Sequence, residues 1–267
     1  MTKIKQLLKF LPFALLMLSI KQAQANNFTW PEQAKAAIVL TYDDTLNSHL
    51  DHAIPQLNKQ QLTGTFYISG ARGELDSRMT EWQQAAREGH ELANHTLYHP
   101  CQKSKPGRDW VAPAHDMDAY TLDQFISELK VTNTLLQALD GETQRTFAYT
   151  CGDTEINGTS VVNALKPLFI GARAVTEDGL NNPKDMDFYR IRSQSSDNKT
   201  GQQLIAMAQA AQQNNHLMVF LFHGVGDDYL TTDNKAHQAL LAYLKQHKSE
   251  YWVTTMKAAL HFVQSQQ

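Results

Sequence analysis

Residues 36–44 read AAIVLTYDD: seven residues without a charge run directly into two adjacent aspartates. The run lacks the polar–apolar alternation of a half-exposed strand, so it reads as a strand covered on both faces. Comparable runs recur at Gly64 to Ile68, Glu91 to Ala93, Thr146 to Tyr149, Phe169 to Val175, Phe188 to Ile191, Leu217 to Phe222 and Trp252 to Thr255. Stretches with helical spacing separate them, most clearly Leu122 to Leu139, Gln202 to Asn214 and Lys235 to Gln246. Strands alternating with helices indicate an α/β fold with parallel strands. The number of runs and the length suit a (β/α) barrel of seven to eight strands better than an open sheet.

The chain has 267 residues, and its composition changes early. Lys3, Lys5 and Lys9 precede an apolar run from Phe10 to Ile20, which ends in Ala23-Gln24-Ala25. Residues 1–25 therefore read as a secretory signal peptide, with the apolar run too short to span a bilayer comfortably. Residues 26–267 show no linker or repeat and read as one domain, exported to the periplasm or beyond, with no membrane anchor after cleavage. A formal net charge of −3 provides no basic footprint for nucleic acid. Two cysteines, Cys101 and Cys151, form an even count in an exported chain, which predicts one disulfide over two buried thiols. Oligomeric state leaves no mark in the sequence.

In parallel barrels the chemistry gathers at the carboxyl ends of the strands. The residues just after the apolar runs are Asp43-Asp44, His95-Thr96-Leu97-Tyr98-His99, Cys151-Gly152-Asp153 and His223-Gly224. Two imidazoles sharing a metal must each come within about 2.1 Å of it. Four residues of strand span about 13 Å. One helical turn spans about 6 Å and places both on one face. Chelation by His95 and His99 thus predicts a helical turn after Leu92-Ala93, against the alternative of two histidines in a polar loop. Asp43 and Asp44 are costly at the end of a buried strand unless paired, hydrogen-bonded or metal-bound. A helix cap is the plainer reading of that pair.

Two familiar hydrolase patterns are missing. His90 to His95 reads H-E-x-x-x-H, one residue longer than the zincin motif, and no G-x-S-x-G elbow occurs. Instead Thr41-Tyr42-Asp43-Asp44, His95-Thr96-Leu97-Tyr98-His99 and Leu221-Phe222-His223 resemble, in order and spacing, the signature segments of polysaccharide deacetylases. This is the NodB-homology group, carbohydrate esterase family 4. The resemblance implies a distorted (β/α) barrel of the NodB-homology type that hydrolyses acetyl groups from an N- or O-acetylated glycan. It implies that Asp44, His95 and His99 hold one divalent metal, Asp43 is the general base and His223 the general acid. The ligand set suits zinc, and cobalt, nickel or manganese would also fit.

The chain departs from the family pattern in two places. Where the third motif carries an arginine that orients the base, this sequence has Ala148, in Phe147-Ala148-Tyr149-Thr150-Cys151-Gly152. Arg145, Arg173 and Arg192 are candidates to replace it, and Arg173 is preferred. By the family pattern, Tyr149 and the main chain at Cys151 belong to the substrate and oxyanion region. The fourth motif's aspartate and tryptophan are also missing, which leaves Asp197 as a candidate partner for His223. An insertion from Cys101 to Tyr120 carries Trp110 and Tyr120, which could stack on sugar or pack the loop down. Two other readings stay open: a catalytically impaired relative that binds glycan or metal, and a metal-dependent hydrolase of another non-peptide carbon–nitrogen bond.

Overall fold

The structure, a computed structural model, describes residues 28–175 and 178–267. The candidate signal peptide lies outside these residues. Among the described residues, no helix is long and apolar enough to cross a membrane.

The AAIVLTYD stretch forms β1 (Ala36–Asp43), and all eight of its residues are buried. Further parallel strands are β2 (Thr65–Ile68), β3 (Glu91–Asn94), β4 (Phe147–Ala148), β7 (Ala172–Arg173), β8 (Gln194–Ser195), β9 (Leu217–Phe222) and β10 (Tyr251–Thr254). A small antiparallel hairpin, β5 (Glu155–Ile156) and β6 (Thr159–Ser160), turns at Asn157-Gly158. The main sheet runs β7-β4-β3-β2-β1-β9-β8, and β10 pairs with the first half of β1. It curls toward closure: Ile191 bridges Arg173 on β7, and a few residues later β8 pairs with β9. The fold is thus a distorted (β/α) barrel. The expected strand at Phe188 to Ile191 reduces to that single bridge, and the paired strand comes later, at Gln194–Ser195.

Strand alternation assigns β1 to two layers. Ile38, Leu40 and Tyr42 join Phe66, Phe220 and Phe222 in the largest core, under the helices. Ala37 and Val39 belong with Trp30, Leu217, Val219, Met256 and Leu260. The covering helices are α1 (Ile54–Gln60), α2 (Gly73–Ser77), α3 (Met79–Arg87), α4 (Leu122–Asp140), α5 (Val162–Leu165), α6 (Gly201–Asn214), α7 (Asn234–Gln246) and α8 (Met256–Ser265). Their starts are set locally: the side chains of Thr121, Thr200, Asp233 and Thr255 each accept a first-turn N–H. Thr200 and Gln203 complete a capping box.

β1 changes neighbour halfway along. Ala36 to Val39 pair with β10, whereas Thr41 to Asp43 pair with β2 on the same side. β9 runs beside almost the whole strand on the other side. The end that carries Asp43 is therefore held at mid-sheet between β2 and β9.

Two buried histidines are structural. His90 Nδ1 accepts from the Gly64 N–H at 3.1 Å, so its Nε2–H faces Asn58 Oδ1. His237 lies between the Tyr42 hydroxyl and Gln56 Oε1, at 2.8 and 2.7 Å. Burial lowers His90 to about 4 and His237 to about 3. Both stay neutral while the unfolded chain takes up protons below about pH 6.5. Stability is therefore unaffected above pH 6.5 and lost as pH falls from there toward 4. We expect these two groups to contribute a slope of about 2–3 kcal/mol per pH unit between pH 6 and 4. In urea titrations across that range His237→Gln should flatten the slope by about one proton, and an unchanged slope would disprove the assignment.

Candidate active site

Asp43 and Asp44 close β1, and the chain turns sharply there: Asp44 and Thr45 have φ of 81° and 61°. Consecutive carboxylates consequently splay into different surroundings. The Asp43 Oδ2 accepts from Arg173 Nη2, while its Oδ1 is buried without a hydrogen-bond partner. The Asp44 Oδ1 lies 3.3 Å from His95 Nε2 and 3.1 Å from His99 Nε2. His223 follows β9, with its Nε2 3.8 Å from Asp44 Oδ2.

The His95–His99 segment does not form the expected helical turn. It is a bend in which Thr96 and His99 both take left-handed φ, 65° and 54°. Side chains supply the alternative: Asn94 Oδ1 accepts the Thr96 N–H and Thr96 Oγ1 accepts the His99 N–H. Such local side-chain bonds compete with helix. The bend still brings the two imidazoles together, with ring centroids 4.9 Å apart.

Arg173 is fully buried and is the register partner of Ala148 across β4 and β7. The guanidinium thus comes from the next strand, at the level where Ala148 leaves room. Its Cζ sits 4.9 Å from the Tyr67 ring centre, and Nη1 reaches the Ala174 carbonyl at 3.2 Å. Arg145 is engaged elsewhere, with Asp140 and the Leu92 carbonyl. Arg192 is exposed and uses its N–H on Asn181.

His95 Nδ1 faces the Ala148 carbonyl at 2.9 Å and so carries its proton there. In the neutral ring, Nε2 then points a lone pair at Asp44 Oδ1. Either a proton or a cation must lie between them. Burial pushes His95 down, but Asp43 and Asp44 outweigh it and raise its affinity for a proton. Burial likewise pushes Asp44 up, and the neighbouring His99 and His95 more than reverse this, holding it well below the usual carboxylate range. Two buried carboxylates face one buried guanidinium, leaving an excess negative charge that a divalent ion would offset. The donor set of two imidazole nitrogens and one carboxylate oxygen fits such an ion. His99, Cys101 and Cys151 also lie close together, but both sulfurs are joined in a disulfide, with Cα atoms 5.8 Å apart. They offer no thiolate.

Asp43, Asp44, His95, His99 and His223 line one cavity of about 740 Å³ with Tyr149, Cys151 and Trp110. Tyr149 is buried, donating its hydroxyl to the Tyr189 carbonyl at 2.9 Å. Cys151 has a φ of 54° in the short turn after Tyr149. The insertion divides its aromatics: Trp110 is 63% exposed over His99, whereas Tyr120 is buried and unavailable to a ligand. Arg108 pins this loop to Asp153 and to the Cys151 carbonyl. Asp197 accepts from the Ser195 hydroxyl, and among the described residues His223 Nδ1 is buried without a partner. The sequence reading missed Tyr229 and Arg72. Tyr229 donates to Asp44 Oδ2 at 2.6 Å, and Arg72 Nη2 donates to the Tyr229 hydroxyl at 2.7 Å. A lone tyrosine in a polar loop carries no spacing signal that would have found it.

Breaking a buried ion pair from one side leaves the other charge uncompensated, at a cost of about 3–5 kcal/mol. We expect Arg173→Met to lose about that much in chemical unfolding, and Arg173→Met with Asp43→Asn to recover most of it. A single variant as stable as the parent would show that the pair is not what holds Asp43.

No curated protein matches the chain. Among solved structures, a putative polysaccharide deacetylase from Mycobacterium smegmatis superposes with a TM-score of 0.63 at 13% identity, covering 90% of this chain and 93% of that one. A mutant of peptidoglycan deacetylase PdaC from Bacillus subtilis gives 0.54 at 16% identity, covering 86% and 92%. A pseudoenzyme of carbohydrate esterase family 4 from Bacillus anthracis gives 0.54 at 14% identity, covering 85% and 66%. These likenesses show the fold. The family model described as polysaccharide deacetylase matches residues 31–167, and the chain belongs to that family.

Proposed function

We propose that the protein removes acetyl groups from an N- or O-acetylated glycan, using one divalent metal ion, zinc in the first instance. Asp44, His95 and His99 would hold the ion. The observation that carries this reading is the division of the two adjacent carboxylates. Asp44 faces two imidazoles; Asp43 faces a guanidinium and keeps one oxygen bare.

The bound ion would supply Lewis acidity and make water a stronger acid at neutral pH. Asp43 Oδ1 takes the proton of the attacking water while Arg173 fixes the other oxygen. As the water oxygen bonds to the acetyl carbon, the bond from that carbon to the sugar nitrogen or oxygen breaks. His223 Nε2 gives its proton to the departing atom, and acetate leaves. Cys151 lines the same cavity, and its main-chain N–H is the candidate donor to the developing oxyanion. Trp110, exposed at the rim, offers a face for a sugar ring. The disulfide and the candidate signal peptide support an exported, periplasmic or extracellular protein.

One observation favours a second reading. His223 Nδ1 is buried with no acidic partner to orient the ring, and Asp197 is turned to Ser195. A protein that binds glycan or metal with little turnover would tolerate this.

The test is acetate release from a panel of acetylated glycans by metal-loaded protein, chelated protein and Asp43→Asn. We expect chelation to abolish release. Asp43→Asn should lower kcat by about 10²–10⁴-fold with the ion still bound. No release on any substrate, with one ion bound per chain, would replace this reading with the second.

A further inference from the structure

The two oxygens of Asp44 are treated differently. Oδ1 faces the imidazoles, whereas Oδ2 accepts the Tyr229 hydroxyl at 2.6 Å. Arg72 backs this contact twice over. Its Nη2 donates to the Tyr229 hydroxyl, and its Nε donates to the Asp44 carbonyl at 3.2 Å. One guanidinium thus grips the main chain of Asp44 and the side chain that holds its carboxylate.

The loop that delivers Tyr229 is itself fixed. Gly224, next to His223, donates to the Tyr229 carbonyl at 3.0 Å and accepts from Thr232 at 2.9 Å. A Cβ at Gly224 would come within 2.1 Å of the Asp227 carbonyl, so only glycine lets the loop fold back so tightly. Asp228 Oδ2 accepts the Ser48 N–H at 2.9 Å, tying the loop to the turn that follows Asp44. His223 Nε2 lies 3.8 Å from Asp44 Oδ2, close enough that a small swing of the carboxylate would bond the two.

We propose that Tyr229, backed by Arg72, is a positioning residue that occupies Asp44 Oδ2. Asp44 then presents Oδ1 alone to the metal, and His223 is kept free of the carboxylate. This inference rests on the metal reading above. Partners of this kind behind a metal ligand alter affinity by about 10–100-fold when removed.

The experiment compares wild type, Tyr229→Phe and Arg72→Met. Zinc affinity is measured by competition with a chromogenic chelator, the absorption bands of the cobalt(II)-loaded protein are recorded, and the melting temperature is taken without metal. Tyr229→Phe should weaken zinc binding about 10–100-fold and shift the cobalt bands while melting like wild type. Wild-type affinity and an unchanged cobalt spectrum would overturn the proposal. Should Tyr229→Phe fail to fold, Arg72→Met keeps the hydroxyl without its support, and wild-type affinity there overturns it equally. Wild type that binds no metal would defeat the metal reading and this inference together, an outcome distinct from binding that is indifferent to Tyr229.

Discussion

Two carboxylates buried at the end of one strand are the constraint from which the rest of the site follows. Asp43 and Asp44 are both almost wholly buried, and each has an oxygen without a hydrogen-bond partner. Ionised groups so placed need opposite charge at short range. Arg173 meets that need for Asp43, and the pair of imidazoles does so for Asp44 if a proton or a cation lies between. The left-handed turn at Asp44 is what lets neighbouring residues face one cavity while answering to different partners. Without it, strand geometry would send them to opposite faces of the sheet.

The sheet is organised to hold this point still. β1 gives its first half to β10 and its second half to β2, with β9 alongside. The site then recruits from the ends of β3, β7 and β9 as well, four strands contributing to one rim. The disulfide adds a constraint at its outer edge, joining the residue two beyond His99 to the turn after β4. Closing a loop of that length (sequence separation 50) destabilises the unfolded chain by about 4 kcal/mol through lost conformational entropy.

Much of this was legible because strong local signals survive packing. The uncharged runs of β1 and β9 have no stable place except a covered sheet, and the helix at Leu122 has its apolar spacing in the sequence. The bend at His95 to His99 was misjudged because spacing arguments consider helix and strand only. Asn94 and Thr96 provided a third option through their side chains. Asp197 was a reasonable partner for His223 by position, yet Ser195 claims it from two residues away. Tyr229 and Arg72 are 157 residues apart, and their meeting belongs to tertiary structure alone.

Ala148 and Arg173 stand side by side in register on adjacent strands. A rim built from parallel strands is a shared address: a positive charge can arrive from whichever neighbour has room, provided it ends at the same height. Pattern matching along the chain scores such a transfer as a loss, because it looks for a letter in one motif. Kinship in this fold is better judged by which atoms surround the carboxylate than by which segment contributed them.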